Sequence, residues 1–263
     1  MEQRKKNITL IGAGNLATHL GRALTAAGYR VTQVYSHTLA NARLLAEELQ
    51  AASTDSLSAL TNTADVYVFS VKDSVLETVA EQVCSSVSDG QKVFLHTAGS
   101  MPMSLFQGKS AHFGVLYPMQ TFSKQRAVDF RSIPVFTEAN DEMAAETIQA
   151  VAASVAERVY ELSSEKRKYL HLSAVWACNF VNHCYDMAAR QLPQDIPFDV
   201  LLPLIDETAR KVHELAPREA QTGPAIRYDE NVMNRQLQLM EGHPEWQDLY
   251  RKLSESIHQR AKE

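Results

Sequence analysis

Asn7-Ile8-Thr9-Leu10-Ile11-Gly12-Ala13-Gly14-Asn15-Leu16-Ala17 is the stretch that decides how this chain folds. A short apolar run flows into Gly-Ala-Gly-Asn-Leu-Ala and then into a helical pattern. That is the strand, glycine turn and helix of a dinucleotide-binding unit. Gly12 permits the tight turn, and Gly14 lets backbone approach a pyrophosphate. Ala17 is small enough for helix to pack on strand. The first turn, through Gly12, Ala13, Gly14, Asn15 and Leu16, offers free N–H groups and a partial positive charge to phosphates. A bare Gly-x-Gly-x-x-Ala string has a competing reading, a doubly wound domain whose turn holds no nucleotide. The context favours the nucleotide. Leu16, Leu20, Ala23, Leu24 and Ala27 recur at helical spacing, Gly28 ends the helix, and Tyr29 to Tyr35 reads as a second, parallel strand.

That strand ends in Ser36, His37 and Thr38. An NAD-preferring site carries an acidic residue near this position to hold the ribose hydroxyls. Hydroxyls and an imidazole can instead hydrogen-bond a 2′-phosphate that a carboxylate would repel, so NADP is expected over NAD. The same three residues also suit the cap of the next helix. That helix shows Ala42, Leu45, Ala46 and Leu49 on one face, and a short strand is expected over 51–54. Asp65 to Val71 is a near-continuous apolar run, as in a parallel strand covered on both faces. A helix with Val75, Val79 and Val83 follows it. Because ligands bind at the carboxyl ends of such strands, Ser70, Val71 and Lys72 are expected beside the nicotinamide ribose. The next strand, Lys92 to His96, runs into Thr97, Ala98, Gly99 and Ser100, a turn expected to face the substrate. His112 to Phe122 is a strand broken by Tyr117-Pro118. Tyr117 can hydrogen-bond a substrate or serve as a half-buried structural tyrosine. Ile133 to Thr137, a helix over 141–155 and a strand over 158–162 complete the alternating elements, so one α/β domain is expected over residues 1–162.

From Ser163-Ser164, a good cap pair, the pattern turns to helices alone, giving an expected all-helical domain over 163–263. Glu165 to Gln191 contains no proline or glycine. On a uniform helix, His171, Val175, Asn179, Asn182 and Asp186 fall within roughly 80° of one another. Pro193 and Pro197 close that helix, and a second spans about 198–216. Gln221 to Asp229 forms a loop containing Gly-Pro, with Asp229 as the next N-cap. The last helix starts at Pro244. Arg227 is the best anion anchor in this half, since a guanidinium pairs bidentately with a carboxylate. A structural pair with Asp229 is its alternative.

Composition is that of an ordinary globular protein: 263 residues, 45% hydrophobic, 22% charged, formal net charge −5. Mild acidity provides no footprint for nucleic acid or an anionic membrane. No apolar run approaches the roughly 20 residues of a membrane span, and the charged start carries no signal-peptide core. Cys84, Cys178 and Cys184 form no Cys-x-x-Cys pair, and neither a disulfide framework nor a metal centre is expected. The default is a cytoplasmic protein.

With both halves in view, the chain resembles reductases in which a Rossmann domain, a doubly wound and mostly parallel sheet, precedes an all-α domain of the 6-phosphogluconate dehydrogenase type. Ketopantoate reductase, 3-hydroxyisobutyrate dehydrogenase and pyrroline-5-carboxylate reductase share that architecture. It is most similar to a bacterial NADP oxidoreductase family whose biochemical role is largely unassigned. The matching blocks are Gly12 to Asn15, His96 to Gly99, Tyr117 to Phe122, Tyr169 to Phe180 and Thr222 to Asp229. The resemblance implies hydride transfer between the nicotinamide of NADP and a small, carboxylate-bearing carbonyl, imine or alcohol. It also implies a homodimer paired through the helical domain. Thr97, Gly99, Ser100, Tyr117 and Arg227 would then meet the substrate, and His171 and Asn179 would work on it. The characterised hydroxyacid dehydrogenases carry Lys-x-x-x-Asn on the long helix. Asn179 matches the asparagine, Val175 replaces the lysine, and Tyr117 stands where the family commonly has histidine. His171 is the nearest titratable group on that face, about 6 Å further along the helix. Its alternative is a structural histidine at the domain junction. A non-catalytic NADP-binding sensor or scaffold, and a deazaflavin-dependent NADP oxidoreductase, are the rival functions.

Overall fold

The structure, a computed structural model, describes residues 5–87 and 90–263. It falls into two compact units, Met1–Cys184 and Tyr185–Glu263. Helices take over after residue 161, yet the first unit keeps the next helix and runs on to Cys184.

The first unit holds an eight-stranded sheet: β1 (Asn7–Ile11), β2 (Arg30–Tyr35), β3 (Ala52–Thr54), β4 (Val66–Phe69), β5 (Val93–His96), β6 (His112–Pro118), β7 (Val135–Ala139) and β8 (Val159–Glu161). Their spatial order is β3-β2-β1-β4-β5-β6-β7-β8. All neighbours are parallel except β6 and β7. The first six strands follow the doubly wound order in which the chain reverses direction across the sheet at β1 and β4. Helices α1 (Asn15–Ala26), α2 (Leu39–Leu49), α3 (Asp73–Ser86) and α4 (Glu142–Val155) make the crossovers.

Side chains alternate across the strands, so neighbours in sequence enter different cores. Val66, Val68, Val93 and Leu95 join Ile8, Leu10 and the inner faces of α1, α2 and α4 in one aliphatic cluster. Tyr67, Phe69 and Phe94 join Phe106, Phe113 and the inner face of α3 in the other. That second cluster is a run of touching rings, with centroids 5.2 Å apart for Tyr67–Phe94 and 5.3 Å for Phe69–Phe106. Burial on both faces is why β4 and β5 read as unbroken apolar runs.

Helix faces follow the expected periodicity with one exception. In α2 the buried residues are Ala42, Leu45, Ala46 and Leu49, as read from the sequence. In α3 they are Leu76, Ala80, Val83 and Cys84. Val75 is exposed and lines an open cleft at the end of the sheet; Val79 lines the same cleft and also packs against the aromatic cluster. Cys84 is a core residue whose thiol burial pushes up to about 12.

Beyond β8 comes α5 (Ser164–Ala174), a π-helical segment Val175–Phe180, and α6 (Val181–Gln191). A π segment bonds i→i+5 and so accommodates an extra residue. One added residue shifts the following face by about 100°. The single wheel face through His171, Asn179 and Asp186 therefore does not carry through. Ser163 is the N-cap of α5 by position, but its hydroxyl makes no cap bond.

In the second unit, α7 (Leu202–Glu214), α8 (Pro224–Arg227) and α10 (Pro244–Lys262) each carry proline in the first turn, where the missing N–H costs nothing. Asp229 caps α9 (Glu230–Leu239), its Oδ1 accepting from Val232 N–H at 3.2 Å. Helix α8 packs on α10, and the Tyr228 and His258 rings lie 4.4 Å apart. Among the described residues, no helix is long and apolar enough to cross a membrane.

Candidate functional site: a glycine turn and a tyrosine–histidine pair

Strand β1 delivers the chain into a turn held from both sides. Gly12 N–H donates to the Tyr35 carbonyl at 2.8 Å, and Ser70 N–H donates to the Ile11 carbonyl at 2.8 Å. Gly12 has φ +123°, and a Cβ there would lie 2.2 Å from the Ser70 carbonyl oxygen. Only glycine fits. Gly14, two residues on, is different, because a Cβ there would meet nothing within 4 Å. It is the N-cap of α1 and supplies no side-chain cap. The helix thus opens with unsatisfied N–H groups aimed at free space, which suits an anion.

That space is part of a cleft of about 600 Å³. Gly12, Ala13, Gly14 and Asn15 line it with Tyr35, Ser36 and His37 from the end of β2, and Ser70, Val71 and Lys72 from the end of β4. Asn41, Val75, Val79 and Lys124 complete the lining, which contains no carboxylate. Two expected cofactor residues stand apart. Leu16 packs against the aliphatic core, leaving only its backbone for a phosphate. Thr38 is the exposed N-cap of α2 and is not among the lining residues.

A second cluster forms beyond β5. Gly99 approaches so closely that a Cβ there would lie 2.5 Å from His171 Nδ1 and 2.9 Å from Tyr117 Cζ. Tyr117 Oη and His171 Nδ1 are 3.0 Å apart, with the rings edge to face. Three sequence-distant residues therefore meet at one point. Burial raises the Tyr117 phenol pKa, with the nearby Arg167 charge opposing it, so the phenol stays protonated at neutral pH. Thr97, by contrast, donates its hydroxyl to the Phe69 carbonyl at 3.3 Å. Ser100 donates to the Asp73 carboxylate. Both hydroxyls are spent within the protein.

What fixes His171 is a residue that no local pattern singles out. Arg167, one turn earlier on α5, is 1% exposed. Its Nη1 pairs with Glu138 Oε2 at 2.6 Å, and its Nη2 donates to the Met101 carbonyl at 2.7 Å and Ser164 Oγ at 3.0 Å. Glu138, on β7, also accepts from the Ser164 N–H at 2.8 Å and hydroxyl at 2.6 Å. Ser164 Oγ in turn accepts from Met103 N–H at 2.9 Å. The first turn of α5 is thereby bolted to the sheet. Arg167 sits within Glu165-Lys166-Arg167-Lys168, which reads as a solvated helix start, and only the fold distinguishes it. His96 is fully buried at the end of β5, where Ala98 N–H donates to its Nδ1 at 3.1 Å. Burial first, then the Arg167 charge, lowers its pKa to about 3, against a weaker effect of the Pro102 carbonyl. It is neutral at any physiological pH.

Asn179 is exposed, within the π segment. Arg227, exposed at the end of α8, belongs to the second unit. Asp229 gives its carboxylate to the cap of α9, so the expected alternative of an Arg227–Asp229 pair is not what employs it.

The turn, sheet order and acid-free cleft define a dinucleotide-binding protein of the Rossmann type. Residues 7–98 match the family model described as NADP oxidoreductase, coenzyme F420-dependent, and residues 133–257 match a domain of unknown function. The chain is 50% identical to putative NADP oxidoreductase BF3122 from Bacteroides fragilis, with a TM-score of 0.93 and coverage of 97% of this chain and 98% of that one. It belongs to that NADP oxidoreductase family. More distant structures share the fold. A pyrroline-5-carboxylate reductase from Coxiella burnetii is 20% identical, with a TM-score of 0.58 over 98% of both chains. An imine reductase from Myxococcus stipitatus in complex with NADP+ is 15% identical, with a TM-score of 0.63 over 97% of this chain and 93% of that one. No curated protein matches the chain.

The two glycines should separate stability from binding. Gly12→Ala is expected to destabilise the fold by about 1–3 kcal/mol through backbone strain and the clash with Ser70. Gly14→Asp is expected to leave the melting temperature nearly unchanged while abolishing NADPH binding, because its carboxylate occupies the phosphate position. Thermal unfolding and fluorescence titration read the two effects. Unchanged NADPH affinity in Gly14→Asp would overturn this placement of the cofactor.

Proposed function

We propose that this protein transfers a hydride between NADP and a small carbonyl, imine or alcohol bearing a carboxylate, with the Tyr117–His171 pair handling the proton. The observation that carries the reading is the 3.0 Å contact between Tyr117 Oη and His171 Nδ1, closed over by Gly99. NADP, when bound, supplies or accepts the hydride. The backbone of residues 12–16 would hold its pyrophosphate, Ser36 and His37 its adenosine end, and Ser70, Val71 and Lys72 its nicotinamide ribose.

On the protein's side, reduction of a carbonyl or imine needs one proton delivered to oxygen or nitrogen. With Nδ1–H donating to Tyr117 Oη, the imidazolium form carries a second proton on Nε2; it gives that proton to the substrate, is left as the neutral Nδ1–H ring, and recovers a proton on Nε2 from solvent. Tyr117 holds the tautomer, as orienting partners do for catalytic histidines. Val175 offers no proton where the hydroxyacid dehydrogenases have lysine, so the pair takes over that work. Asn179 is assigned to substrate orientation.

We assign the functional unit as a homodimer. Tyr169, Leu172, Trp176 and Phe180 leave an apolar stripe along the long helix, with Tyr169 65% and Trp176 59% exposed. Stripes of this kind mark interaction sites. A second copy is the occupant that the family resemblance supports. The three thiols are free, which suits the reducing cytoplasm where we place the chain.

Three measurements bear on this reading. His171→Ala is expected to lower kcat for NADPH oxidation, against a panel of keto acids and imines, by at least about 100-fold. Tyr117→Phe should have a smaller effect, and neither variant should change NADPH affinity. Tight NADPH binding with no acceptor reduced by the unmodified chain would favour the sensor role instead. A deazaflavin acceptor is a second reading, favoured by the family model over residues 7–98. Mixing NADPH with an oxidised deazaflavin should then bleach its visible absorbance, and no bleaching removes it. Trp176→Glu is expected to halve the mass seen by light scattering, whereas a wild-type monomer would refute the dimer.

A further inference from the structure

The chain leaves β6 through a loop, residues 119–129, that returns across the first turn of α1. Asn15 Nδ2 donates to the Phe122 carbonyl at 2.8 Å. His19 Nε2 donates to the Ser123 carbonyl at 2.9 Å. Asn15 and His19 stand four residues apart, hence on one face of α1. The His19 ring lies 5.4 Å from that of Phe122, which stacks in turn on Phe130 at 6.0 Å. His19 is itself only 5% exposed. A loop tied to a helix at consecutive carbonyls has little freedom at its next residue, Lys124, and Lys124 lines the same cleft as Gly12 to Asn15.

The side chains of this turn are occupied elsewhere. Asn15, which a motif reading assigns to the phosphates, spends its amide on the loop. The lining has no carboxylate to neutralise Lys124, and the net charge of the whole chain is −5. A local cation is what such a chain needs to hold a dianionic pyrophosphate.

We propose that Lys124 is a direct ion-pairing contact to the pyrophosphate of the bound dinucleotide, and that His19 is a positioning residue that sets it there by pinning the loop to α1. The proposal rests on the cofactor reading above and extends it to a segment outside the glycine motif. Because the pyrophosphate is common to NADPH and NADH, the contact serves both nucleotides alike. A lysine reaching the 2′-phosphate would instead discriminate between them.

Titration calorimetry of the full chain with each nucleotide tests this. Lys124→Ala is expected to weaken NADPH and NADH by a similar factor of about ten. Lys124→Arg should restore most of the affinity. His19→Leu should weaken binding too, and adding it to Lys124→Ala should cost little more, since both act through one contact. Unchanged affinity in Lys124→Ala overturns the proposal, and so does a loss confined to NADPH. Full additivity of the two substitutions overturns the positioning role of His19. An unmodified chain that binds neither nucleotide overturns the cofactor reading first, and this proposal with it.

Discussion

The buried pair between Arg167 and Glu138 is the constraint on which the candidate site depends. A guanidinium out of water must have its charge matched and its donors used, or it costs several kcal/mol. Here β7 supplies the carboxylate, the stretch after β5 supplies a carbonyl, and Ser164 supplies a hydroxyl. The carboxylate and the carbonyl lie on segments far from α5 in sequence, so pairing Nη1 and Nη2 fixes where α5 starts and how it is rotated, although the buried Nε has no partner among the described residues. His171 follows one turn later and arrives against Tyr117 and Gly99. The same charge also opposes the rise of the Tyr117 phenol and helps keep His96 neutral. One ion pair thus sets the position of the Tyr117–His171 pair, while burial is the larger influence on the Tyr117 phenol.

The glycine turn works on the opposite logic. Around Arg167 the two terminal nitrogens are placed by other protein atoms. Gly12 is constrained by protein atoms too, since the Ser70 carbonyl forbids a side chain. At Gly14 the protein imposes nothing, and the empty space has meaning only for a ligand. Family membership and geometry converge at this point: an NADP oxidoreductase must leave room beside the first turn of α1, and this chain does.

Much of this was legible in the sequence, for identifiable reasons. The unbroken apolar runs of β4 and β5, the Gly-Ala-Gly turn and the α2 face are local patterns, and local patterns survive translation into structure. Helix α3 is instructive. Val75, Val79 and Val83 are periodic, but periodicity counts apolar residues without saying what covers them: Val83 is buried, Val79 is shared between core and cleft, and Val75 faces the cleft. The π segment was invisible because no residue type announces an i→i+5 turn. With it went the wheel that grouped His171 with Asn179. Arg167 was hidden among charged neighbours, and the tie between Asn15 and Phe122 spans 107 residues. Long-range pairings of this kind are decided by the fold and have no local signature.

The unequal chemistry of the two cores bears on how the cleft holds its shape. On one side of the sheet the fillers are mainly valine, leucine, isoleucine and alanine; on the other, beneath α3, a contiguous row of rings from Tyr67 through Phe94, Phe69 and Phe106 to Phe113 runs among the aliphatic residues. Aromatic side chains turn about only two bonds, so a floor built from them has few alternative arrangements. Helix α3 rests on that floor and turns Val75 and Val79 toward the dinucleotide cleft. The wall against which a ligand must settle is therefore stiff before the ligand arrives. Little ordering entropy is left to be lost there on association, and affinity at this wall is a matter of preorganisation more than of adaptation.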